Sequence, residues 1–360
     1  MQTAARKFLF DLLDTPSPTG WETPGQKKWA AYNRKHSDRV ENDAYGNAWA
    51  SIDGSGGKKN KAPVVMLEAH ADEIGFIVKH VTKEGFLHLD RIGGVDHGVA
   101  RGRRVTILGE KGHVTGIIGN TAIHIRDRDE KPPLVHELHV DVGASNAEEV
   151  AKLGVRVGTP MVYSDSAQDF GKNRIVGRAL DNRIGGFIIA EVMRELSGQK
   201  SKIKATTIAA NCIHEEIGGL GSRMVAHRLN PDVCIVLDVT HATDTPTIKH
   251  VKHGEVKLGG GPTVTHGAAN HRLVVDRLLN VAKKAKIPIQ HEAASRFTGT
   301  DADGIYHTRD GIPTALVSLP LRYMHSIVEV ADYTDIEQTV QLLAGFVNSV
   351  GTDDDFAIKI

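Results

Sequence analysis

Several apolar runs in this 360-residue chain end in groups that can hold a metal ion or move a proton. Residues 63–69 (PVVMLEA) lead into His70-Ala71-Asp72-Glu73, and residues 205–213 (ATTIAANCI) lead into His214-Glu215-Glu216. Residues 233–237 run into Asp238, and 313–319 (PTALVSL) lead through Pro320 to Met324 into His325. A further acid, Asp181, stands in Arg178-Ala179-Leu180-Asp181-Asn182-Arg183, just before an apolar stretch with helical spacing. Two imidazoles, a bridging acid and two further carboxylates suit a pair of hard-to-borderline divalent ions. Two such ions side by side polarise a carbonyl and lower the pKa of a water. One more carboxylate is then needed as general base. The neighbours Glu215 and Glu216 can divide that work, one binding metal and the other taking the proton. The chemistry indicated is hydrolysis of an amide or peptide bond.

None of these residues is specific alone. A lone His-x-Asp after a strand is usually structural. Asp181 could be only a helix N-cap, and Glu-Glu before Ile-Gly an ordinary acidic helix start. The specificity lies in their convergence. In open α/β sheets, sites form beyond the carboxyl ends of the strands, and each candidate strand here brings an imidazole or a carboxylate to that edge. Elsewhere the plainer reading holds. His80, His88, His97, His113, His124, His136 and His139 read as surface or turn residues, and Cys212 and Cys234 as small core residues. Gly259-Gly260-Gly261-Pro262 lacks the Lys-Ser/Thr of a phosphate loop. No Gly-x-Ser-x-Gly elbow supports a serine hydrolase.

The elements needed to position these groups are legible. Helical spacing covers 3–14 and 23–36; a strand is expected at 47–52 and a strand buried on both faces at 63–69. From 74 the texture changes to short β runs, at 74–81, 86–92, 103–108, 113–118 and 138–142, with one helical window near 146–153. From about 174 strands and helices alternate again: helices at 182–197, 219–229, 271–286 and 333–349, buried strands at 205–213, 233–239 and 313–319. The expectation is an α/β protein with a doubly wound mixed sheet covered by helices. Its catalytic domain comprises 1–72 plus 170–360, and a small β-barrel-like domain is inserted at 73–169.

In this order the motifs resemble the tetrahedral (TET) dinuclear aminopeptidases, the glutamyl, leucyl and lysyl aminopeptidases with a PDZ-like dimerisation insert. The resemblance covers nearly the whole chain. It rests on His70-Ala-Asp72-Glu-Ile-Gly75, Arg178-Ala-Leu-Asp181-Asn-Arg183, Glu215-Glu216-Ile-Gly218, Asp238, Gly299-Thr300-Asp301-Ala302 and Arg322-Tyr323-Met324-His325-Ser326. It implies two divalent ions, zinc first, with cobalt or manganese as alternatives. Asp181 would bridge them, His70 and Asp238 would complete the protein ligands of one, and Glu216 and His325 those of the other. Glu215 would be the general base, and Asp72 would orient His70. The implied activity is removal of N-terminal residues from short peptides. The implied assembly is a homo-oligomer, dimers building a hollow dodecamer. His214 departs from the family, which more often has Gln there, and so do the histidines at 241, 250, 253, 266 and 271.

Composition narrows the classes further. Lys plus Arg and Asp plus Glu are both 44, so no net field draws the chain to nucleic acid or an anionic membrane. Lys58, Lys59 and Lys61 sit among Gly and Asn and read as a solvated loop. Asp11 interrupts the apolar run at 8–13, which spoils a signal-peptide core, and no run reaches the roughly 18 apolar residues of a membrane span. Two cysteines are no disulfide framework. A cytoplasmic protein is expected. Two other functions stand as alternatives on the same residues. A deacylase or carboxypeptidase-type amidohydrolase would use the same core, and a non-catalytic assembly protein should have lost a ligand or the base. Glycoside hydrolysis needs two carboxylates flanking a sugar and no metals.

Overall fold

The computed structural model describes residues 1–55, 62–126 and 131–360; the Lys58, Lys59 and Lys61 loop lies outside them. Two helices, α1 (Thr3–Leu13) and α2 (Thr23–Asn33), precede strands β1 (Arg39–Asn42), β2 (Ala48–Ile52) and β3 (Val64–His70). Six strands follow: β4 (Gly75–Val81), β5 (Leu87–Ile92), β6 (Arg104–Gly109), β7 (Gly112–Ile118), β8 (His139–Asp141) and β9 (Pro160–Tyr163). A short helix, α3 (Ala147–Lys152), lies between the last two. After β10 (Gln168–Phe170) and β11 (Arg174–Gly177) come α4 (Leu180–Ser197), β12 (Thr206–Cys212), α5 (Leu220–Leu229) and β13 (Val233–His241). The remainder is α6 (His250–His253), β14 (Thr263–Gly267), α7 (Arg272–Ala285), β15 (Gln290–Ala294), α8 (Ala302–Ile305), β16 (Thr314–Leu321), β17 (Glu329–Asp332) and α9 (Tyr333–Ser349).

The central sheet has eight strands in the order β1-β2-β12-β3-β13-β16-β14-β15. Its middle, β12-β3-β13-β16, is parallel throughout. These strands are almost wholly buried, which is why they read as continuous apolar runs rather than alternating ones. One face is covered by α1, α4, α7 and α9 through Leu9, Phe187, Leu278 and Phe346. The other is covered by α5 and α8 through Val225, Ala226 and Ile305, and Cys212 and Cys234 pack there as core residues. β2 joins β12 antiparallel, and β14 joins β16 antiparallel, so the sheet is mixed.

Strands β4 to β9 close into a separate barrel in the order β4-β5-β8-β7-β6-β9. It has its own core, including Phe76, Leu89, Val105, Ile118, Val140 and Met161. The expected α/β sheet with a small β-barrel is therefore observed. Seven strands lie outside those expected from the sequence: β1, β9, β10, β11, β14, β15 and β17. β9 is only four residues long and starts at Pro160. β14 and β15 carry Thr, His, Gln and Glu instead of an apolar run. Their place in the sheet comes from pairing with each other and with β16, not from local composition. Among the described residues no helix is long and apolar enough to cross a membrane.

Candidate metal centre

Parallel register brings the ligand candidates to one edge. Cys212 pairs with His70, and Asp238 pairs with Ser318, so the carboxyl ends of β3, β12, β13 and β16 open on the same side. His70 closes β3 and Asp238 lies near the end of β13, both buried. His325 follows β16 in a left-handed backbone conformation, φ 61°. Asp181 stands at the head of α4, where it and Asn182 have non-helical dihedrals, so the regular helix begins beyond them.

Asp181 lies between two groups of ligand atoms. Its Oδ1 is 3.2 Å from His70 Nε2, and its Oδ2 is 3.3 Å from His325 Nε2. On the first side Asp238 Oδ1 is 3.8 Å from His70 Nε2. On the second, Glu216 Oε2 is 3.6 Å from His325 Nε2. The ligand atoms of His70, Asp181 and Asp238 lie within 4.8 Å of one another, and so do those of Asp181, Glu216 and His325. Glu215 also faces this space, its Oε2 3.8 Å from His70 Nε2. The five candidate ligands and the candidate base are thus brought together.

Asp72 stands behind them. Its carboxylate accepts the Thr19 hydroxyl at 2.8 Å and the backbone N–H groups of Glu215 at 3.1 Å and Glu216 at 3.3 Å. Its Oδ1 is 3.4 Å from His70 Nδ1. Asp72 thus meets the His70 ring through its carboxylate and, at 3.3 Å from Nδ1, its backbone carbonyl, and it also holds the backbone of the glutamate pair. The residues around Asp181 are anchors too. Asn182 donates to the Leu237 carbonyl at 2.7 Å, Arg183 donates to the carbonyls of Leu12 and Thr15, and Arg178 is paired with buried Glu73.

The acids crowd a space with little positive charge. Burial pushes Glu215 up to about 9 and Asp238 up to about 7, and neighbouring carboxylates add to both shifts. Burial likewise holds Glu216 well above the usual carboxylate range, with Asp181 contributing. Glu216 Oε1 is shielded from solvent with no hydrogen-bond partner among the described residues. Burial opposes ionisation of Asp181, but the hydrogen bonds from His325 and His70 outweigh it and keep this acid ionised. A buried carboxylate lacking a donor is costly. Divalent cations between these oxygens and imidazoles would supply both missing partner and missing charge. The residue set fits two such ions.

A family model described as M42 glutamyl aminopeptidase matches residues 46–342. The chain belongs to the M42 glutamyl aminopeptidase family. A lysyl aminopeptidase of Pyrococcus furiosus is 34% identical over 342 residues, covering 93% of this chain and 94% of that protein. A TET aminopeptidase from a marine-sediment thaumarchaeote superposes with a TM-score of 0.91 at 30% identity over 97% of each chain. A TET peptidase of Pyrococcus horikoshii, described as able to assemble into a tetrahedron or a large octahedral shell, superposes with a TM-score of 0.83. It is 27% identical and covers 95% of this chain and 98% of that one.

This M42 member carries supporting residues that the sequence does not single out. Glu329, buried in β17, accepts the N–H of Asp181 at 3.2 Å and of His325 at 2.8 Å, tying two ligand candidates to one carboxylate. Gly94, in the loop after β5, places its carbonyl oxygen 2.9 Å from His325 Nδ1. Thr19 holds Asp72. Nothing local marks any of the three: one is a glutamate in a short strand, one a glycine among 37, one a threonine in a loop. His214 reaches away from the cluster, its Nε2 3.6 Å from Glu22 Oε1. The site opens into a cavity of about 550 Å³.

Proposed function

We propose that this chain is a two-metal aminopeptidase that removes N-terminal residues from short peptides. The observation that carries this reading is the division of the Asp181 carboxylate between His70 and His325. A carboxylate that would be shared by two ions fits that arrangement. His70 and Asp238 would complete one ion's protein ligands, and Glu216 and His325 the other's. Zinc is the first choice, with cobalt or manganese accepted by the same donors. When bound, the two ions would polarise the scissile carbonyl and lower the pKa of a water.

The remaining steps fall to the chain. Glu215 takes the proton from the attacking water and returns it to the departing amine. Asp72 is a positioning residue: it holds the Glu215–Glu216 backbone and the His70 ring in register. Glu329 does the same for Asp181 and His325. The cavity receives the first residue of the peptide.

The proposed division of the chain is a catalytic domain of 1–72 plus 170–360 and a dimerisation domain of 73–169. The tetrahedral or octahedral assembly of the Pyrococcus horikoshii relative supports a homo-oligomer here, with dimers building a dodecamer. The proposed location is the cytoplasm.

The test is a panel of aminoacyl-p-nitroanilides beside N-acyl amino acids, with zinc, cobalt or manganese added, and elemental analysis of the same samples. Turnover of the aminoacyl series with two ions per chain is expected. Turnover of the N-acyl series alone would move the chain to the deacylases.

A further inference from the structure

Five acids line the cavity above the candidate metal centre. Asp181, Glu215, Glu216 and Asp238 line it and face the two ligand clusters. Asp303 lines it as well, but its carboxylate is occupied. It accepts the N–H of Thr298 at 2.9 Å and of Gly299 at 2.8 Å, and the Thr298 hydroxyl at 2.9 Å. Among the described residues the cavity lining contains a single lysine or arginine, Arg223 of α5. Arg223 has no hydrogen bond or ion pair with any described residue. Every carboxylate on this wall has a partner or a place facing the ligand clusters.

The position of Arg223 is also built. Its stem lies across Gly304 of α8, on the cavity wall. A Cβ on Gly304 would come within 2.6 Å of Arg223 Nε and 2.9 Å of its Cγ, so the bare glycine makes room for the side chain. The stem is thereby laid down while the guanidinium remains free to meet whatever enters. The Thr298 and Thr300 hydroxyls, 2.8 Å apart, line the same cavity. A planar guanidinium with five donors matches a carboxylate in a two-pronged fashion.

We propose that Arg223 binds a carboxylate of the substrate and so sets which peptides this enzyme prefers. This rests on the aminopeptidase reading above. The carboxylate has two sources: the side chain of an acidic first residue, or the terminal carboxylate of a dipeptide. Both are compact anions delivered into the same cavity while the scissile bond sits at the metal centre.

The experiment compares the parent with Arg223→Met and Gly304→Ala. Glutamyl-, leucyl- and lysyl-p-nitroanilide carry no terminal carboxylate, so they isolate the side-chain source. Leucyl-leucine against leucyl-leucine amide isolates the terminal source. A charge-assisted hydrogen bond lost here should cost about ten- to a hundredfold. Arg223→Met should therefore lower either the glutamyl:leucyl ratio or the dipeptide:amide ratio of kcat/KM by that factor, mainly through KM. Gly304→Ala keeps the charge but displaces it, and should lower the same ratio by a smaller factor. Calorimetric titration of the metal-loaded protein with glutamate and with leucinamide gives a reading independent of turnover. If the acidic side chain is the source, glutamate should bind the parent more tightly than leucinamide, and Arg223→Met should remove the difference. The proposal is overturned if both ratios survive Arg223→Met; a fall in the dipeptide:amide ratio with glutamate binding unchanged assigns the terminal carboxylate as the source. A parent that binds glutamate through Arg223 yet hydrolyses no aminoacyl substrate would overturn the aminopeptidase reading instead.

Discussion

The Nδ1 of His325 donates to the carbonyl oxygen of Gly94 at 2.9 Å, across 231 positions of sequence. A carbonyl only accepts, so this bond keeps a proton on Nδ1, and Nε2 is the nitrogen that faces Asp181 and Glu216. Gly94 follows β5 of the barrel, so the barrel side of the chain sets the tautomer of a ligand candidate on the sheet side. A Cβ at Gly94 would lie 2.7 Å from both Nδ1 and Cε1 of the ring. Gly94→Ala should therefore push His325 aside and weaken one ion by about 10–100-fold, the usual loss when a supporting partner of a metal-bound imidazole is disturbed. Metal stoichiometry after dialysis against buffered free metal would show one ion lost and one retained. Full retention of both would rule out His325 as a ligand.

The two adjacent glutamates should separate by phenotype. Glu215→Gln keeps shape and metal content but removes the proton acceptor, and kcat should fall about 10²–10⁴-fold. Glu216→Gln removes a ligand atom from the cluster shared with Asp181 and His325, so its defect should be partly rescued by excess metal. If Glu215→Gln loses an ion while Glu216→Gln keeps both, the roles are reversed.

Stability of the metal-free protein should depend on pH in a defined direction. Burial raises Asp238 to about 7 and Glu215 to about 9, whereas in the unfolded chain both titrate near about 4. Between these limits the folded state binds more protons than the unfolded one, so unfolding free energy falls as pH rises. His70 acts in the same direction. Burial lowers its pKa, but Asp181 and Asp72 outweigh that and hold it well above its ordinary value, so its share is also lost on the alkaline side. The melting temperature of chelated protein should therefore drop from about pH 5 to about pH 9. The gain on adding zinc should widen over the same range, because ligands must be deprotonated to bind. A chelated protein whose melting temperature rises with pH would contradict this account of the cluster.

The assembly can be weighed directly. Multi-angle light scattering of the metal-loaded protein at micromolar concentration should give a multiple of the chain mass, in even numbers if dimers are the unit. A stable monomer under those conditions would count against residues 73–169 as a dimerisation domain.

The sequence by itself determined the strands that matter and the residues at their ends. β3, β12, β13 and β16 are buried on both faces, and a strand of that kind must be apolar throughout. The polar residue that ends such a run is conspicuous, which is why His70, Asp238 and the pair Glu215–Glu216 stand out from the sequence alone. Helix α4 is legible for a similar reason, since nearly all its residues are buried, and the β texture of 74–163 comes from its two-residue periodicity. Tertiary structure alone decided how these pieces meet. The order β12-β3-β13-β16 sets His70 beside Asp238, yet strand order depends on crossovers that leave no local trace. Glu329, Gly94 and Thr19 reach the centre from a short strand and two loops, where no periodicity constrains residue type. Arg223 has the sequence context of any charge on a helix surface. Only the fold places it over Gly304, because a solvated face and a cavity wall have the same pattern until something packs opposite them.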